Sequence, residues 1–331
     1  MKIDAFCHIV PAKYKEALEK EIGSPLWRSL HNALPTMYDL DQRFRIMDKF
    51  DDLMQVLTIS LPPVENIGDR QKAVDLARLA NDEMAELVLK YPDRFAAAVA
   101  CLPMNNIDAA LDEVDRAIND LRFRGVQIFT PINDKPLDSP EFLPLYEKMC
   151  QYNLPIWIHP HRDADYPDYR SEQTSKYGLS SLLGWLYETS TAIVRLVYSG
   201  IMERYPGLKF ITHHAGAMVP FLEKRIVGFG DFAEMRLGSD IKENLRRPML
   251  DYLKMFYADT AIYGNTAGLM CSYALFGAQH LLFGTDFPYD NQWGLRYTRG
   301  TIASIEQMAI SDAERKMIFE DNARSLLRLP V

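Results

Sequence analysis

Short β-rich runs alternate with longer amphipathic segments along almost the whole chain. The β-type runs fall at 2–6, 54–60, 95–101, 125–129, 155–158, 208–212, 255–258 and 280–283, which makes eight predicted strands. Most are nearly continuous in apolar residues, the pattern of strands covered on both faces. Helical patterns lie between them. The segment 67–90 is rich in Ala, Leu and Glu, and 107–120 carries Ile107, Ala110, Leu111, Val114, Ala117 and Ile118 at helical spacing. Asp138-Ser139 precedes a predicted helix over 140–151, with Pro140 inside its first turn. A last helix over 311–327 is predicted to start at Ser311, with Glu314 at capping-box spacing.

Eight strands alternating with helices predict an α/β chain folded as a (β/α)8 TIM barrel. An open doubly wound sheet is disfavoured, because no glycine-rich phosphate loop follows the first strand. At about 150 residues per domain, 331 residues suggest two domains. The strand count instead predicts one barrel domain over 1–331, with the surplus in insertions after strands 1 (10–40), 5 (163–205) and 6. All three follow strand C-termini, the catalytic face of a barrel, and are expected to form a lid or an oligomer interface.

Composition narrows the function. With 37 basic and 45 acidic residues the net charge is −8, which argues against a nucleic-acid partner. Four cysteines (Cys7, Cys101, Cys150, Cys271) form no CxxC pair, so reduced thiols are expected. The longest near-apolar run, 95–104, is about half of a membrane span. The first residues show no signal-peptide pattern, so a soluble cytoplasmic protein with no membrane partner is expected. A chain this long folds without a structural metal, so any metal site serves chemistry.

Of seven histidines, five (His8, His159, His161, His213 and His214) lie at or just past predicted strand C-termini. Barrel active sites are assembled there, and neutral imidazole is the commonest metal ligand. Strand alternation puts Phe6 and His8 on one face and turns Cys7 the other way, toward the helices. His159 closes an apolar strand as a potential ligand; His161 could support it or face solvent. Of the neighbours His213-His214 only one should enter the site. His214 is the choice as ligand or general acid/base, beside Gly216, which permits a tight turn; His213 reads as structural. Asp286, directly after the eighth strand, can ligate a metal and exchange a proton, with Asp259 a weaker candidate. Two imidazoles and a carboxylate make a catalytic metal site with an open position.

The chain resembles the amidohydrolase-related family that contains aminocarboxymuconate semialdehyde decarboxylase and γ-resorcylate decarboxylase. The resemblance runs through Ile3-Asp4…His8-Ile9-Val10-Pro11, Arg43-Phe44-Arg45-Ile46-Met47-Asp48 and residues 154–160. It continues through 199–209, His214-Ala215-Gly216-Ala217, Arg225 and Gly284-Thr285-Asp286-Phe287-Pro288. It implies one divalent metal, zinc or manganese, held by His8, His159 and Asp286, with His214 as acid/base. It also implies that Arg43 and Arg225 grip substrate carboxylate, the latter across a homodimer interface or that of a higher homo-oligomer. Trp185 is a candidate pocket wall. One position departs: Phe6 stands where the family carries a second first-strand ligand. It adds apolar bulk beside His8 and becomes a substrate-contact candidate. No lysine occurs in 123–130, which speaks against the two-metal variant of the site.

The resemblance therefore implies a metal-dependent decarboxylase of a small unsaturated or aromatic carboxylic acid. A hydrolase or hydratase on the same scaffold is the alternative, because fold does not decide between these chemistries. A metal-poor ligand-binding homologue is a second alternative, motivated by Phe6.

Overall fold

The computed structural model describes residues 1–23, 25–237 and 242–330. The first strand, β1 (Lys2–Ile9), pairs in parallel with β2 (Leu53–Ile59), and β2 with β3 (Phe95–Ala98). A second parallel run follows the order β4 (Ala100–Cys101), β5 (Val126–Thr130), β6 (Ile156–Pro160), β7 (Phe210–Thr212) and β8 (Tyr257–Ala258). The two sheets are one ring. β3 and β4 are halves of a single barrel position broken at Val99, whose N–H still donates to the Leu57 carbonyl at 3.0 Å. Residues 281–283 close the other side: Leu282 donates to Ala258 at 2.9 Å and Ala5 to Phe283 at 2.8 Å. The predicted eight-position TIM barrel is present. Its eighth position is reduced to isolated bridges, because His280 belongs to a 3-10 turn, Ala278–His280.

Apolar side chains fill both sides of the ring, as burial requires of parallel strands. Inside sit Ile3, Ala5, Phe6, Val56, Val99, Trp157, Ile211 and Leu282. Trp157 is fully buried and donates its Nε1–H to the Ala5 carbonyl at 2.9 Å. Outside, Leu57, Val126, Ile128, Ile156 and Ile158 pack under helix residues such as Val114, Leu145, Ile193 and Leu196.

The capping signals differ in outcome. Ser311 and Glu314 form both halves of the capping box. The helix they start is then interrupted by a wide turn, Met317–Asp321, before Asn322–Leu327. Helix Ile107–Asn119 is capped by Asn106, and Arg70–Lys90 by Asp69. Ser139 makes no side-chain cap: Pro140–Phe142 is a 3-10 turn, and the helix proper is Leu143–Tyr152. The first insertion carries helix Ala12–Glu21, which seats Tyr14 and Leu18 against Leu76, Ala77 and Ala80. Its free N-terminal N–H groups at Lys13 and Tyr14 donate to the Glu83 carboxylate. The later insertions carry helices Trp185–Tyr198 and Val219–Leu237. Among the described residues, no helix is long and apolar enough to cross a membrane.

Candidate metal centre

The strand C-termini bring His8, His159, His213, His214 and Asp286 together, all buried. His8 comes from β1, where an extra residue between Asp4 and Cys7 shifts the register against β2. Its Nδ1 lies 3.1 Å from Thr58 Oγ1 and 3.4 Å from the Ile59 carbonyl. Among the described residues its Nε2 has no hydrogen-bond partner, and it sits 3.3 Å from Asp286 Oδ1. His159, from β6, donates from Nδ1 to the Pro160 carbonyl at 2.6 Å, and its ring is 5.0 Å from that of His8. Cys7 turns outward, as alternation predicts: it donates to the Val56 carbonyl, and burial pushes its thiol up.

Both histidines after β7 enter the site, which corrects the expectation that only His214 would. Strand alternation ends at Thr212. His213 is still extended, but His214, Ala215 and Gly216 all take positive φ, and this left-handed turn swings the second imidazole back beside the first. The two rings lie 3.9 Å apart. His213 donates from Nδ1 to Asp259 and sets Nε2 3.3 Å from Asp286 Oδ1. His214 Nε2 lies 3.8 Å from Asp286 Oδ2. Asp259 is itself fixed by the Ala215 and Ala261 N–H groups at 2.9 and 3.0 Å.

Asp286 also has positive φ, 60°. Such a conformation costs about 1–3 kcal/mol and needs support from its surroundings. Asp4 supplies it by accepting from the Thr285 N–H and hydroxyl at 3.0 and 2.5 Å, while Asp286 N–H donates to the Phe6 carbonyl at 3.1 Å. Tyr263 donates to Asp286 Oδ2 at 2.8 Å. Burial alone would raise the Asp286 carboxyl, but the His213 charge and the hydrogen bonds from His213, His214 and His8 hold it well below the usual carboxylate range. Burial works against charge on His213 too, yet Asp259 and Asp286 push it up to about 9. Burial lowers His8, His159 and His214, and neighbouring His213 lowers all three further.

The donors fit a divalent cation. Two orphaned imidazole nitrogens, His8 Nε2 and His214 Nδ1, two further imidazoles and an ionised carboxylate are gathered in one buried cluster. The ligand atoms of His8, His159 and His213 lie within 4.8 Å of one another, as do those of His213, His214 and Asp286.

Other candidates are placed differently. Arg43 is fully buried and faces away from the site. It donates to Gln55 Oε1, the His8 carbonyl and the Thr36 carbonyl at 2.8, 2.9 and 3.3 Å, and lies over the Phe287 ring. Its donors are thus turned to the barrel wall and not to the histidine cluster. Phe6 is likewise fully buried, stacked under His213 at 4.0 Å. Trp185 does border the cluster, 5.7 Å from His159 and 6.4 Å from His214. His161 points to Asn66 and Asp163, at 3.3 Å each, beside a depression of about 750 Å³ that Thr130, Arg162 and Glu188 also line. Arg225 lies on the exposed face of helix Val219–Leu237, next to Phe229 and away from the cluster. Tyr263 and Tyr289, whose ring is 5.4 Å from His8, were not anticipated. Each lies a few residues past a strand end in sequence, the one signal that marks them.

Residues 3–329 match the family model described as amidohydrolase. The chain is 30% identical over 315 residues to γ-resorcylate decarboxylase of a Rhizobium species, covering 92% of this chain and 90% of the relative. It is 29% identical over 307 residues to 2-amino-3-carboxymuconate-6-semialdehyde decarboxylase of Dictyostelium discoideum, covering 87% and 82%. A dihydroxybenzoic acid decarboxylase from Polaromonas, solved with bound manganese and the inhibitor 2-nitroresorcinol, superposes with a TM-score of 0.81 at 26% identity, over 99% of this chain and 96% of that one. With the barrel, the strand-end histidines and a match from residue 3 to residue 329 in agreement, the chain belongs to the amidohydrolase family.

Proposed function

We propose that this protein is a metal-dependent decarboxylase of a small aromatic or unsaturated carboxylic acid. The observation that carries the reading is the buried cluster of His8, His159, His213, His214 and Asp286 beside Trp185, in a chain similar along most of its length to decarboxylases. His8, His159 and Asp286 are the residues that hold the metal. Manganese or zinc suits an imidazole and carboxylate set, and manganese is the ion bound in the Polaromonas relative. When bound, the ion supplies positive charge beside the substrate's oxygens. Trp185 offers the flat wall that an aromatic ring stacks on. Loss of CO2 breaks the carbon–carboxyl bond and leaves its electron pair on carbon, which then takes a proton. His214, kept neutral by burial, takes up a proton and delivers it from Nε2, beside Asp286 Oδ2. Tyr263 holds Asp286 in position for both tasks.

The test is CO2 release from a panel of hydroxybenzoate and muconate-type acids by the metal-loaded protein. Release with at least one acid supports the reading; turnover of lactones or amides without any CO2 release overturns it in favour of hydrolysis.

A second copy of the chain is the proposed partner. Helix Val219–Leu237 exposes Phe221, Phe229 and Met235, apolar side chains that a neighbouring copy would cover. Arg225 lies on that face, where a neighbour would cover it. The cysteines are all free, which suits the reducing cytoplasm.

A further inference from the structure

Phe6 leaves β1 with one donor for a metal, His8. The structure supplies another from a different strand end. We propose that His213 is a metal ligand in this chain, oriented by Asp259 and backed by the Phe6 ring. The inference rests on the metal-dependent reading above.

The hydrogen bonds carry it first. His8, His159 and His213 each commit Nδ1 to an oxygen: Thr58 Oγ1 or the Ile59 carbonyl, the Pro160 carbonyl, and the Asp259 carboxylate. A histidine that gives its Nδ1 proton away presents the Nε2 lone pair, and a carboxylate behind such an imidazole is the usual partner of a metal-bound histidine. Asp259 is well placed for this, because two backbone N–H groups hold its other oxygen.

Distance carries it next. Asp286 Oδ1 lies 3.3 Å from both His213 Nε2 and His8 Nε2. An imidazolium that served only as a counter-ion would close to about 2.7–2.9 Å. Two donors bound at about 2.1 Å to one tetrahedral ion stand about 3.4 Å apart. The spacing around Asp286 is that of donors sharing an ion.

Phe6 completes the argument. Its ring stacks on His213 at 4.0 Å and 16°, and the same ring is tilted against His8 and His159 at 5.6 and 6.0 Å. The side chain that forfeits a ligand position thus serves as the floor on which three imidazoles are set. His213 becomes a ligand, while His214, one residue on, remains for proton transfer.

The experiment loads the full-length protein with cobalt(II) and records proton NMR in water. A cobalt-bound imidazole with a protected Nδ1–H gives one strongly shifted exchangeable signal. Three such signals are expected, one of which disappears in His213→Ala. Direct metal titration is the second measurement: Asp259→Asn should weaken binding about 10–100-fold, and His213→Ala more than that. Two signals in the parent, or unchanged affinity in His213→Ala, overturns the inference and leaves the decarboxylase reading standing. A parent protein that takes up no cobalt, zinc or manganese overturns both.

Discussion

Arg43 shows how a side chain's chemistry and its location part company. Its guanidinium suits a carboxylate, but its donors go to Gln55 and to two backbone carbonyls within the barrel wall, and Cys7 and Phe287 pack around it. Replacing it leaves buried acceptors unpaired, so Arg43→Met should lose about 2–4 kcal/mol of stability. Urea unfolding reads that loss, and KM for the substrate of the active protein should stay within twofold of the parent. A rise in KM without loss of stability would instead assign Arg43 to substrate binding. Trp185 has the opposite expectation. Its ring borders the imidazoles without supporting the core, so Trp185→Ala should raise KM several-fold and leave bound metal per chain unchanged, as measured by elemental analysis. His8, His159 and Asp286 could be picked from strand-end position alone. His213 could not be added to them, because local alternation admits only one of the two neighbouring histidines, and it is the left-handed turn at 214–216 that brings His214 in beside an extended His213.

At the scale of elements, helices and strands are tied by a few buried polar side chains. Asn81, on helix Arg70–Lys90, accepts from Cys101 N–H at 2.8 Å and donates to the Cys101 carbonyl at 2.9 Å and to Glu113 at 2.6 Å. It pins β4 just after the break at Val99. Asn81→Ala removes three buried hydrogen bonds and should cost about 3 kcal/mol, measured by chemical denaturation; a cost below about 1 kcal/mol would show that the helix–strand contact is held by packing alone. The periodic apolar pattern predicted where strands and helices would fall, since burial follows it directly. It could not predict that the third barrel strand is split, nor that the eighth is held by bridges. Those features depend on what lies alongside: Leu57 across from Val99, and Ala258 and β1 beside 281–283.

For the molecule as a whole, buried charge links stability to pH. Glu65 is buried beside the depression that His161 lines, both carboxyl oxygens lack a side-chain hydrogen-bond partner among the described residues, and burial raises it from 4.5 to about 8. The folded state therefore holds the proton that the unfolded chain releases. This contribution is full below the unfolded value and is lost as pH rises to that of the folded state. Unfolding free energy should fall between about pH 4.5 and about pH 8, and Glu65→Gln should flatten that fall. An identical slope in the variant would assign the pH dependence to other groups. At the same scale, Phe229→Glu on the exposed helix face should convert an oligomer to monomer in light-scattering measurements; a parent already monomeric would remove the second copy from the account.

The sequence by itself determined the barrel, the helices around it and which ends of the strands hold the chemistry. These follow from local rules: apolar periodicity, capping residues, and the clustering of histidines and Asp286 after apolar runs. Tertiary structure alone decided which of those side chains meet. It turned Arg43 into the wall, laid Phe6 beneath the imidazoles, and brought His213 in beside His214. It also joined Asp259 and Tyr263 to a cluster distant from them in the chain. The physical reason is that side-chain direction past the end of a strand is set by turn geometry and by neighbours from other strands, neither of which is written in the local pattern.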